Sequence, residues 1–195
     1  SIALIGPGAV GGIVAATLIS CGHHVTLCAR RAAGPLAIGL FDGDVTIAPP
    51  VLTDPAQGRP VDWVLVATKA YDVAGAAKWL ERLRADRAPV VVLQNGVEHR
   101  ERFASYVPMD SILPVVVDCP AERQSPEHVR QRGIMHLKAP EGELGRAFVE
   151  LFAGTPADAV EVLDFTTVAW RKLCHNAAGV LPALLLQNSG VMHDE

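Results

Sequence analysis

Ser1-Ile-Ala-Leu-Ile-Gly-Pro-Gly-Ala-Val-Gly-Gly12 opens the 195-residue chain. The apolar, β-prone run Ile2 to Ile5 feeds a glycine-rich turn. Ala9 to Cys21 then reads as a helix that stops at Gly22. Gly6, Gly8 and Gly11 fit G-x-G-x-x-G, the pattern by which a first strand–helix unit holds a dinucleotide pyrophosphate. Gly6 permits the tight turn, Gly8 lets the backbone approach the phosphates, and Gly11 lets the helix pack close to the sheet. The flanking strand and helix lift this above an ordinary glycine-rich turn. Gly6, Pro7, Gly8, Ala9, Val10 and Gly11 are therefore candidate cofactor-binding residues.

Working outward, strand-like and helix-like segments alternate through the first two-thirds of the chain, the pattern of a parallel sheet covered by helices. His24 to Cys28 reads as the second strand. Leu36 to Phe41 and Val45 to Ile47 read as a hairpin at the sheet edge, and the proline-rich Ala48 to Pro60 as loop. Strands follow at Asp62 to Thr68, Val90 to Leu93, Ile112 to Val117, Val129 to Leu137 and Ala159 to Leu163. Helices are expected over Val73 to Ala85, Glu98 to Tyr106 and Gly142 to Phe152, and the pattern is helical from Phe165 onward. The fold class is thus α/β. A Rossmann-type doubly wound parallel sheet over residues 1–164 is followed by the start of an all-helical C-terminal domain over 165–195.

Composition narrows the partners. Half the residues are hydrophobic, mean hydropathy is +0.26, and net charge is −4 with a pI near 6.0. With no long basic run, neither nucleic acid nor an anionic membrane is an expected partner. Cys21, Cys28, Cys119 and Cys174 form no C-x-x-C pair, so a disulfide framework or a metal site is not expected. Reduced thiols and the lack of a signal-like N-terminus suit a cytoplasmic protein, with Cys174 read as a small buried hydrophobe. The apolar run Leu181 to Leu186 needs a cover, which either a homodimer or further helical residues would supply.

An NAD site usually carries Asp or Glu after the second strand to accept from the ribose 2′-hydroxyl. This chain has Ala29-Arg30-Arg31 there. A guanidinium pairs bidentately with a 2′-phosphate that a carboxylate would repel. The position favours NADP(H), with Arg30 first and Arg31 second. Further on, Lys172 and Asn176 lie four residues apart on one helix face. Such a pair is often only a wet surface, yet an ammonium beside a carboxamide also suits the reduction of a 2-oxo acid.

Four segments in order resemble the ketopantoate reductase family: GPGAVGG (Gly6 to Gly12), TKAYD (Thr68 to Asp72), QNG (Gln94 to Gly96) and WRKLCHNA (Trp170 to Ala177). The resemblance implies a Rossmann domain, a helical second domain and a cleft between them. It makes Lys172 the catalytic acid and Asn176 a substrate ligand. Asn95 and Lys69 would touch cofactor and substrate, and Ala121, in the loop after Val117, would make a backbone contact to the cofactor. The activity implied is NADPH-dependent reduction of 2-dehydropantoate to pantoate in pantothenate synthesis, with a small-molecule 2-oxo acid as partner.

Two departures qualify it. The family often has a second substrate-binding Asn where this chain has Val180, which leaves open another 2-oxo acid or a non-catalytic NADP(H)-binding paralogue. The family also continues for on the order of a hundred residues past the point matching Glu195. That region supplies a Ser and a Glu to the site.

Overall fold

The protein is described from a computed structural model covering residues 1–32, 34–84 and 87–179. In chain order the elements begin with β1 (Ile2–Ile5), α1 (Ala9–Ser20), β2 (Val25–Cys28), β3 (Leu36–Leu40), β4 (Gly43–Ile47) and β5 (Val51–Leu52). They continue with β6 (Trp63–Val66), α2 (Val73–Leu83), β7 (Val90–Val92), α3 (His99–Phe103), β8 (Ile112–Pro114) and β9 (Val116–Asp118). The last are β10 (Ala121–Ser125), β11 (His128–Gln131), β12 (His136–Pro140), α4 (Glu143–Glu150), β13 (Asp158–Val162) and α5 (Phe165–Ala178).

The main sheet has the order β5-β2-β1-β6-β7-β8 and is parallel throughout. Once the β3–β4 hairpin is set aside, this is the 3-2-1-4-5-6 order of a Rossmann fold. Its central strands β1, β6 and β7 are almost wholly buried, as their aliphatic runs require. One face packs on α2 and α3 through Trp79, Leu80, Leu83 and Phe103, and the other on α1. The doubly wound sheet read from the sequence is therefore present.

Several sequence expectations are corrected. The hairpin β3–β4 is real, but it leaves the main sheet instead of extending its edge. It joins β10 and β11 in a second sheet of order β10-β11-β3-β4. The physical reason is α1, whose residues from Gly11 to Leu18 are all buried. A helix apolar all round needs cover on two sides, and the second sheet supplies the other one. The main-sheet edge is instead β5, inside the stretch read as loop.

The apolar run Ile112 to Val117 is two strands, not one. β8 pairs with β7, and the chain then turns at Val115 into β9 of a third sheet, β13-β12-β9. Pro114 lacks an N–H, which suits an edge strand such as β8. The run Val129 to Leu137 likewise divides into β11 and β12, which belong to different sheets. The break falls at Arg132-Gly133, where the Arg132 N–H donates to the Pro120 carbonyl at 2.7 Å. Ala121 lies in strand β10 and not in a loop. Cys174 is exposed, so it is no core residue.

α5 begins at the Asp164 cap, whose carboxylate accepts from the Thr167 N–H at 3.0 Å. Val180 and the run Leu181 to Leu186 lie outside the described residues. Among the described residues no helix is long and apolar enough to cross a membrane, and no cluster of three potential ligands could hold a metal ion.

The third sheet is fastened to the first by aromatic packing. Phe148 of α4 is fully buried, with ring centroids 6.4 Å from Trp63 and 5.3 Å from Phe152. Phe148→Ala should cost about 3–5 kcal/mol of stability in urea unfolding. A loss under about 1 kcal/mol would mean that this contact does not hold the sheets together.

Candidate active site

The site is built at the carboxyl edge of the main sheet, where parallel sheets place their ligand crevices. At the end of β1, Gly6 has φ +86°, and a Cβ there would sit 2.6 Å from Thr68 Cγ2. A Cβ on Gly11 would sit 2.5 Å from the Gly6 carbonyl oxygen and 3.2 Å from Ala67 Cβ. Both glycines are thus required by the protein's own packing. Gly8 is different: a Cβ on it would meet nothing closer than the Gly6 oxygen at 4.0 Å. The protein leaves space above Gly8, and a bound group needing close backbone approach would use it.

The first N–H groups of α1 lack intrahelical partners. No acidic side chain occupies the first turn, and Gly8 offers no side-chain cap. The donors and the clearance fit a dinucleotide pyrophosphate. Arg30 and Arg31 follow β2 and are exposed, with no carboxylate in the Ala29-Arg30-Arg31 stretch.

The ends of β6 and β7 are tied together by Gln94, which is only 4% exposed. Its Nε2 donates to Thr68 Oγ1 at 2.9 Å and to the Lys69 carbonyl at 3.3 Å. The next residues turn sharply at Gly96, φ +118°. Two side chains of α3 fix that turn by its carbonyls: His99 Nε2 donates to Gln94 O at 2.7 Å, and Arg102 Nη1 to Asn95 O at 3.0 Å. A carbonyl only accepts, so His99 carries its proton on Nε2. Asn95 is left with an anchored backbone and an exposed side chain.

α5 then brings Lys172 over this turn. Its Nζ lies 2.7 Å from Asp118 Oδ1 at the end of β9, with the lysine side chain 21% exposed. Lys172 lines a small cavity of about 10 Å³ together with Gln94, Asn95, Gly96, His99 and Val116. Gln94 Oε1 and His99 Nδ1, both buried, have no partner among the described residues. A larger cleft of about 390 Å³ lies at the opposite edge of the sheet, beside His23, Val25, Ile47 and Pro50. It holds none of the motif residues, so chemistry and not size identifies the site.

The structure thus unites Lys172 with Asn95. Lys69 joins the same strand ends through its backbone, while its side chain is exposed and outside the cavity. Asn176 is half-buried one turn further along α5, also outside that cavity. Ala121 starts the ribbon strand β10. Sequence reasoning missed Asp118, His99 and Arg102. The spacings from Gln94 to His99 and from Asn95 to Arg102 are short enough to carry a local signal, whereas Asp118 meets Lys172 across a distance that periodicity does not see.

Burial pushes the His99 imidazole below its ordinary 6.5, and Arg102 acts the same way, against the Gln94 carbonyl and Glu101. With the folded value depressed, the unfolded state binds more protons between the two values. The stability linked to this neutral ring is complete above 6.5 and is lost as pH falls through the folded value. Unfolding free energies at about pH 7 and about pH 5 should therefore differ less in His99→Gln than in the wild type. An equal difference would place the acid sensitivity elsewhere.

The family profile described as Ketopantoate reductase PanE/ApbA matches residues 2–143. The chain is 45% identical over 196 aligned positions to the 2-dehydropantoate 2-reductase of Caulobacter vibrioides, covering 100% of this chain and 68% of that protein. It is 40% identical over 178 positions to the protein of the same name from Mycobacterium tuberculosis, covering 90% of this chain and 60% of the relative. It therefore spans about two-thirds or less of the length of these relatives. The crystal structure of 2-dehydropantoate 2-reductase from Geobacter metallireducens GS-15 superposes with a TM-score of 0.91 at 24% identity, covering 100% of this chain and 68% of that one, which establishes likeness of fold. With the glycine loop, the strand-end turn and the profile match in agreement, the chain belongs to the ketopantoate reductase family.

Proposed function

We propose that this chain carries the cofactor-binding domain and the catalytic lysine of an NADPH-dependent reductase converting 2-dehydropantoate to pantoate in pantothenate synthesis. The observation that carries this reading is Lys172, held by Asp118 at the sheet's carboxyl edge and sharing a cavity with Asn95. The names and identities of the relatives support the substrate. In this reading, residues 1–164 form the cofactor domain and α5 opens a helical substrate domain.

When bound, NADPH supplies the hydride that adds to the ketone carbon. The chain's own residues manage the oxygen. The Lys172 ammonium donates a hydrogen bond to the ketone oxygen, then gives it a proton as negative charge develops, leaving a hydroxyl. Asp118 accepts one of the three ammonium N–H groups and leaves two for the substrate. Asn95, whose backbone is pinned by Arg102, offers its carboxamide to substrate and cofactor. Asn176 takes the substrate carboxylate or a hydroxyl, and Lys69 lines the cofactor or the substrate side of the cleft. Ala121 contacts the cofactor through its backbone. The 2′-phosphate is bound by Arg30, with Arg31 beside it, and this pairing selects NADP(H) over NAD(H).

In the intact protein, Lys172→Ala should lower kcat by about 10²–10⁴-fold while NADPH binding, followed by nicotinamide fluorescence, stays nearly unchanged. Near-normal turnover would remove the proposed acid. Arg30→Ala should weaken NADPH binding about tenfold or more and leave NADH binding alone. Equal weakening of both would show that Arg30 does not read the 2′-phosphate.

A further inference from the structure

Arg123 on β10 reaches across the molecule to the glycine loop. Its Nη2 donates to the Pro7 carbonyl at 2.7 Å, and its Nη1 to the Pro126 carbonyl at 2.6 Å. The ribbon geometry explains the direction. Arg123 stands opposite Val129 in the antiparallel β10–β11 pair, and opposed residues project from the same face. Val129 is fully buried against α1, close to Gly12. A register irregularity follows directly between Arg123 and Ser125, the kind of bulge that re-aims a side chain.

The other face of the ribbon neutralises its own charges. Arg132 binds Glu122 at 3.0 Å, and Arg130 faces Asp44 at 3.7 Å. Arg123 instead has carbonyl partners and makes no ion pair among the described residues. Its guanidinium stands beside the amino end of α1, where the aligned peptide dipoles already place positive charge and no first-turn acid offsets it. A cation beside that helix end is a local conflict within the protein alone. Such conflicts mark functional positions when a bound group resolves them.

We propose that Arg123 binds the pyrophosphate of the dinucleotide, a role that rests on the dinucleotide reading of the glycine loop. A guanidinium has five N–H donors, and two are engaged by Pro7 and Pro126. Three remain, so Arg123 grips the loop and the anion at once. By holding the Pro7 carbonyl it also keeps that oxygen from turning toward the phosphates. Pairing with the anion removes the conflict between the guanidinium and the helix end. The cofactor's charge is thereby shared between two sites, Arg30 at the 2′-phosphate and Arg123 at the pyrophosphate.

The test is equilibrium binding to the intact wild type, Arg123→Met and Arg123→Lys, with three probes: NADPH, ADP and adenosine 2′-monophosphate. Arg123→Met should weaken NADPH and ADP alike, by about tenfold or more, and leave adenosine 2′-monophosphate unchanged because it has no pyrophosphate. Arg123→Lys, which keeps the charge but loses the fork, should fall between. NADPH binding within twofold of wild type in Arg123→Met overturns the proposal. So does equal weakening of all three probes, which marks a general loss of loop structure. A wild type that binds none of the probes overturns the dinucleotide reading itself, and this proposal with it.

Discussion

Everything at the carboxyl edge depends on how closely α1 approaches the ends of β1 and β6. A Cβ on Gly11 would lie 2.5 Å from the Gly6 oxygen, and a Cβ on Gly6 would lie 2.6 Å from the Thr68 side chain. The two absent side chains let strand, turn and helix close into one unit. That closeness sets the amino end of α1 over the sheet edge and puts Thr68 where Gln94 reaches it. The same strand ends then support Lys69 and Asn95. A packing constraint at two glycines therefore propagates into the positions of Lys69 and Asn95.

The burial of α1 has a second consequence. A helix apolar on every side cannot lie on the surface of a single sheet. The chain meets this by diverting β3–β4 and adding β10–β11, so that α1 is covered by a second sheet. The cover is not passive. Its outermost strand carries Arg123 back to the glycine loop, so the element that buries the helix also brings charge to its amino end. Packing and recognition use the same strand.

Around Lys172, the polar groups are arranged in tiers. Gln94 ties two strands together, His99 and Arg102 hold the carbonyls of the turn, and Asp118 holds the lysine. Each supporting group makes its contact to a hydroxyl, a backbone carbonyl or a charge at this edge. The short helix α3 delivers two of these supports.

What the sequence by itself determined is what local chemistry decides. The strand–turn–helix opening follows from three glycines, the buried parallel strands follow from unbroken aliphatic runs, and the helix bearing Lys172 and Asn176 follows from its period. Tertiary structure alone decided which strands share a sheet. The runs 112–117 and 129–137 each look like one strand, because apolarity records burial and not the identity of the partner. It alone also paired Lys172 with Asp118 and Arg123 with Pro7. These partners lie far apart along the chain, and an exposed aspartate or arginine has no local pattern to distinguish it from the rest of the surface. Local geometry is written in residue types, whereas partner choice is settled only when the sheets close around α1.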